Sequence, residues 1–250
     1  MASNRLSRRR FLEITGLSVA GVGVLGVGYA RGVEPGWVDL ERVEVSLAGM
    51  SRAFDRYRVV QISDVHANGW MTPERLSDVI RRVNGERPNL VVVTGDLVTA
   101  DDLSDVSASE VAPRLVGPLR EVRARDGAVA VLGNHDHWVD AGLVRRVLGD
   151  GDFRDIGNRH FSVRRGGGVL HFAGVDDVME GRDRLGAVLD GLPGDGAAVL
   201  LALGEKYPAG RHEVGGMVQY TNRGLGLIQP RLRFGCRPET TTFVLRAGAG

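Results

Sequence analysis

The chain contains one cysteine, Cys236, and one lysine, Lys206, and only 6% of its residues are aromatic. A lone cysteine excludes a disulfide framework. A formal charge of +1 argues against a general nucleic-acid binder, which is normally strongly basic. The near absence of lysine beside 31 arginines carries no functional message. There is no repeat and no low-complexity linker, and 43% hydrophobic with 25% charged excludes disorder, collagen and coiled coil. The 250 residues are ample for one core, and we read one domain after a leader.

The near-neutral total hides an asymmetry. Residues 1–31 hold five arginines and one acid, so residues 32–250 hold 27 basic and 30 acidic side chains. Ser7-Arg8-Arg9-Arg10-Phe11-Leu12 precedes a Gly-rich apolar stretch from Ile14 to Ala30. This pattern resembles a twin-arginine export signal, with a membrane anchor as the alternative. Gly28-Tyr29-Ala30 is the nearest cleavage-like site. The expected location is therefore outside the cytoplasm: the outer face of the membrane, the cell wall or a periplasm. The twin-arginine translocon would be a partner, and membrane association follows if the leader stays.

Beyond the leader, β-rich runs alternate with amphipathic ones. Strands are expected at Val43–Leu47, Arg58–Ile62, Leu90–Thr94, Ala128–Leu132, Phe161–Arg164, Val169–Ala173, Ala197–Leu203, Met217–Tyr220 and Thr241–Leu245. Helices are expected at Pro73–Val83, Ala108–Arg125 and Ala141–Leu148. The pattern is α/β in front and mostly β behind.

Three strand ends carry polar residues that cannot be core: Asp64-Val65-His66, Gly95-Asp96 and Gly133-Asn134-His135-Asp136. In open α/β sheets, sites form at the carboxyl ends of strands. Asp-x-His and Gly-Asp alone are weak signals, since turns favour such residues. Gly-Asn-His-Asp is stronger, because a turn has no need of His and Asp together. The order and spacing resemble the calcineurin-like metallophosphoesterase superfamily. Ala173-Gly174-Val175-Asp176-Asp177, Lys206-Tyr207-Pro208, Tyr220-Thr221-Asn222-Arg223-Gly224 and Phe234-Gly235-Cys236-Arg237-Pro238 resemble its exported, YkuE-like branch.

The resemblance implies two packed mixed β-sheets flanked by helices over residues 37–246, and metal-dependent phosphoester hydrolysis. It implies Asp64 and His66 on a first metal, Asp96 bridging, Asn134 on a second metal, and His135 as the acid or transition-state stabiliser. Asp136 would orient His135 or brace its loop. Carboxylate, amide and imidazole donors suit Mn, Fe or Zn over Ca. The substrate would be a phosphodiester or phosphomonoester, with lipid-linked sugar diphosphates inferred for some relatives, and not nucleic acid.

Two family motifs are missing, however. No His-x-Pro follows the strand at Ala197–Leu203, and no Gly-His-x-His occurs. Leu201-Ala202-Leu203-Gly204-Glu205 reads as a junction where one crossover has been excised. The count of remaining ligands leaves one metal or fewer, and an impaired relic is the rival reading. His171 is read as a satisfied core residue, His137 as a loop-surface residue and His160 as an edge residue. His212 is a candidate substitute ligand, and Cys236 is expected to be buried.

Overall fold

The computed structural model describes residues 7–100, 107–203, 209–214 and 217–248. In chain order, helix α1 (Arg8–Gly32) leads to β1 (Asp39–Leu47), β2 (Tyr57–Ile62), α2 (Pro73–Gly85) and β3 (Leu90–Thr94). Then come α3 (Ala108–Val111), α4 (Val116–Arg120), β4 (Ala128–Val131), α5 (Asn134–Asp150) and β5 (Phe153–Asp155). The second half holds β6 (Arg159–Arg165), β7 (Gly168–Gly174), α6 (Leu185–Asp190), β8 (Ala197–Leu201), β9 (Gly210–Val214), β10 (Met217–Thr221) and β11 (Glu239–Ala247).

A six-stranded sheet runs in the order β1-β11-β2-β3-β4-β5. From β2 to β5 it is parallel, and β11 returns antiparallel to β2. Every residue of β3 is buried, because both of its faces are covered. Val60, Ile62, Val91, Val93 and Ala130 pack under helices α2 to α5. The alternate residues Val59, Leu90, Val92, Val129 and Val131 face a second sheet of order β6-β7-β8, through Leu170, Phe172, Ala197 and Leu201. The expected pair of packed mixed sheets with helices outside is therefore what the chain forms.

Local chemistry explains the departures from the expected elements. The single helix read over Ala108–Arg125 is divided by a 3₁₀ turn at Ala112–Leu115 and ends at Arg120, because Pro113 and Pro118 interrupt the ladder. Helix α5 begins at Asn134, inside the Gly-Asn-His-Asp motif, and bends at Asp140, whose carboxylate accepts the N–H groups of Gly142 and Leu143. Strands β5 and β9 and helix α6 escaped the sequence reading; each is short. Cys236 is exposed, contrary to expectation, since its segment lies on the surface.

Candidate metal centre

The site sits past the carboxyl ends of β2, β3 and β4. The first two loops stay zipped after their strands end: the N–H of Asp64 donates to Gly95 O, that of His66 to Asp96 O and that of Ala67 to Leu97 O. Asp64, His66 and Asp96 all take positive φ, at 49°, 46° and 53°. Non-glycine residues pay for that conformation, so three of them in one site mark a backbone shaped for purpose.

His66, Asp96 and His135 each offer a ligand atom within 4.8 Å of the other two. The His66 Nε2 also lies 3.7 Å from both Asp64 Oδ1 and Asp96 Oδ2. These separations exceed a hydrogen bond and leave room for a cation between the groups. Burial, with His135 and Arg233 nearby, holds His66 down at about 3, so its ring is neutral and able to ligate. Burial pushes Asp96 up to about 8, and the Asp136 and Asp64 carboxylates add to the effect. A set of buried carboxylates that resist ionisation beside a neutral imidazole fits a divalent ion.

Asp96 is aimed by the His135 main-chain N–H, 2.9 Å from its Oδ1. Asp136 is buried and accepts the N–H groups of Val98 and Gly133, each at 3.1 Å, so it ties the second loop to the third. The His135 ring meets the His66 ring edge-on at 4.7 Å and the Trp138 ring at 4.7 Å. Its Nδ1 accepts the Ala100 N–H at 3.1 Å, which puts the proton of the neutral ring on Nε2. Asn134 is buried at the first turn of α5.

The structure thus brings His66, Asp96 and His135 into one cluster, with Asp64 against His66. The His135 ring, expected to stay off the metal, lies within 4.8 Å of the other two ligand atoms. His137 departs from expectation: its ring is 3% exposed, and Nε2 contacts Asp176 Oδ1 at 2.7 Å. His171 is satisfied as expected, by Ser162 and Asp195. His212 pairs with Gln219 across the β9-β10 hairpin.

Sequence reasoning missed the tail's part in the site. Gly224 and Gly226 press on the first loop: a Cβ on Gly226 would lie 2.2 Å from Val65 O and 2.6 Å from His66 Cβ. Arg233 clamps this segment, donating to the carbonyls of Arg223, Gly224 and Gly226. The Gly-x-Gly spacing was the available signal. Leu203 was missed as well. Where β8 leaves its sheet, the Leu203 side chain lies against Gly95 and Gly133, in the space that Asp96 also borders.

A family model described as calcineurin-like phosphoesterase matches residues 57–212, and the chain belongs to that family. It is 28% identical to the uncharacterized metallophosphoesterase YkuE of Bacillus subtilis, over 97% of this chain and 99% of that protein. It is 25% identical to the phosphodiesterase YaeI of Escherichia coli, over 96% and 99%. The UDP-2,3-diacylglucosamine pyrophosphatase LpxG of Chlamydia muridarum is 31% identical over 44% of this chain and 31% of its own length. The family uses divalent metals, and phosphoester hydrolysis is its chemistry.

Proposed function

We propose that this chain hydrolyses phosphodiesters, including lipid-borne sugar diphosphates, at a site holding one divalent ion. The observation that carries this reading is the cluster of His66, Asp96 and His135 within 4.8 Å at three strand ends. Asp64, His66 and Asp96 would hold the ion, of Mn, Fe or Zn type, and Asn134 would serve a second one that the chain is poorly equipped to keep. A bound ion supplies charge neutralisation for the phosphate and lowers the pKa of water.

The rest of the chemistry belongs to the chain's own groups. Asp96 is fixed by the His135 N–H, and Asp136 holds the two loops together. With Nδ1 occupied by the Ala100 N–H, His135 would present its Nε2 proton to the departing oxygen, of an alcohol or of a phosphate. The name of the Chlamydia relative supports a lipid-linked diphosphate, in which one half of the substrate sits in a bilayer.

The one-ion reading, with an excised crossover near 202–205, is supported by Leu203, an apolar side chain bordering Asp96 where the family resemblance expects a His-containing motif. The alignment to the Bacillus protein spans 287 positions, whereas 97% of 250 residues is some 243, so about 44 positions lack a counterpart here. The same observation favours the second reading, an impaired relic. Hydrolysis of bis(p-nitrophenyl) phosphate with added Mn decides between them: turnover lost in Asp96→Ala supports the enzyme, and equal rates support the relic.

Residues 1–31 would direct export by the twin-arginine translocon, leaving a metallophosphoesterase domain at 37–246 outside the cytoplasm. Arg8, Arg9 and Arg10 precede the apolar part of α1, as the positive-inside rule requires for that orientation. The segment Arg8–Gly36 is long and apolar enough to cross a membrane.

A further inference from the structure

The base of α1 is built into the domain. Ala30 is buried, and its carbonyl accepts the Arg233 N–H at 2.9 Å. Four residues on, Glu34 is 1% exposed, and its carboxylate accepts the Cys236 N–H at 2.6 Å. The Arg237 guanidinium lies 3.7 Å above the Trp37 ring, and the Asp39 N–H donates to Pro238 O. Residues 30–39 and 233–238 therefore run together as one collar round the helix base. The cleavage-like residues Gly28-Tyr29-Ala30 lie within the helix and at this docked end, not in an extended segment of the kind a peptidase takes.

The collar and its edge expose large apolar side chains: Phe234 is 73% exposed and Trp37 51%, with Leu232, next to Arg233, at 42%. Large apolar side chains close together on a surface mark a contact. Here the contact is named by its neighbour: the collar is where a membrane-length apolar helix leaves the domain. Trp and Arg at such a junction match the interfacial belt of membrane proteins. The collar also reaches the metal centre. Arg233 holds the carbonyls of Gly224 and Gly226, and Gly226 abuts His66.

We propose that α1 stays attached as an anchor and that Trp37, Leu232 and Phe234 rest in the bilayer interface, holding the metal centre at the lipid surface. This deepens the lipid-substrate reading, on which its purpose rests, and it is tested without any measurement of turnover.

Cys236, the sole cysteine and exposed within the collar, gives the probe. The full-length chain, labelled there with an environment-sensitive fluorophore, is reconstituted into vesicles of phosphatidylethanolamine and phosphatidylglycerol. The expected result is blue-shifted emission, a severalfold loss of quenching by aqueous iodide, and quenching by brominated lipid. The double variant Leu232→Ser with Phe234→Ser, still anchored by α1, should regain iodide access. Full iodide access with no quenching by brominated lipid in the unsubstituted chain overturns the proposal. Protection from iodide that grows with protein density, without brominated-lipid quenching, places a second copy on the patch and overturns it too. Intact mass of protein extracted from the membranes of producing cells should include α1, and a chain starting after Ala30 contradicts retention.

Discussion

The main-chain N–H of His135 donates to the Asp96 carboxylate at 2.9 Å, so the proposed proton donor also aims the proposed ion ligand. Two of the three loops are thereby registered through one bond. Leaving a buried donor without its acceptor costs about 1–3 kcal/mol. Asp96→Ala should therefore abolish stoichiometric Mn binding and cost on the order of 1–3 kcal/mol of stability, because the His135 N–H loses its acceptor. Metal analysis and thermal unfolding check the two effects separately.

Proton competition should be visible in the metal affinity. Without metal, Asp96 holds its proton up to about 8, whereas His66 is neutral down to about 3. Binding below about 8 must expel the Asp96 proton, so Mn affinity should rise about tenfold per pH unit and flatten above that point. Calorimetry in buffers of different ionisation enthalpy should count about one proton released at pH 7. The metal-free protein should show the opposite trend in stability between pH 6.5 and 8. There Asp96 binds a proton in the folded chain and not in the unfolded one, so stability falls as pH rises. Below pH 6.5 the trend is opposed, since unfolded His66 takes up a proton that the folded ring refuses.

His135 has two roles to separate: proton donor and ion ligand. If it donates, His135→Gln should lower kcat by about 10²–10⁴ with Mn content and KM little changed. Loss of metal in step with activity would make it a ligand instead.

The Gly226→Ala variant should damage the site from a distance. Its Cβ would fall 2.2 Å from Val65 O, so the Asp64-Val65-His66 loop must shift. A loss of about 10–100-fold in metal affinity is expected, the size usual for disturbing what supports a ligand. Ala substituted at Gly186 in α6, where nothing lies within 4 Å, is the control for metal binding.

Leu203 gives a prediction of gain. Its side chain borders the space beside Asp96 and Gly133, so Leu203→His should add an imidazole there and raise Mn affinity on the order of tenfold. Unchanged affinity would mean that position 203 lies out of reach of the ion.

The sheet was legible because its strands are continuous apolar runs: Leu90–Thr94 was read to the residue, and β2 and β4 to within one at each end. The three loops were legible because Asp, His and Asn directly after such runs have no place in a core. The tail's contribution was not. Gly224, Gly226 and Arg233 act through backbone contacts with a loop more than 150 residues earlier, and local pattern carries no trace of that distance. His137 was read as a surface residue because its partner, Asp176, arrives from the other sheet. The break at Pro113 and Pro118 was visible as composition, although not as the 3₁₀ turn it produces.

The most direct measurement is Mn bound per chain in purified protein, taken together with hydrolysis of bis(p-nitrophenyl) phosphate and repeated for Asp96→Ala. The account predicts close to one ion and measurable turnover, both lost in the variant. No bound ion, or a rate that Asp96→Ala leaves unchanged, would contradict it.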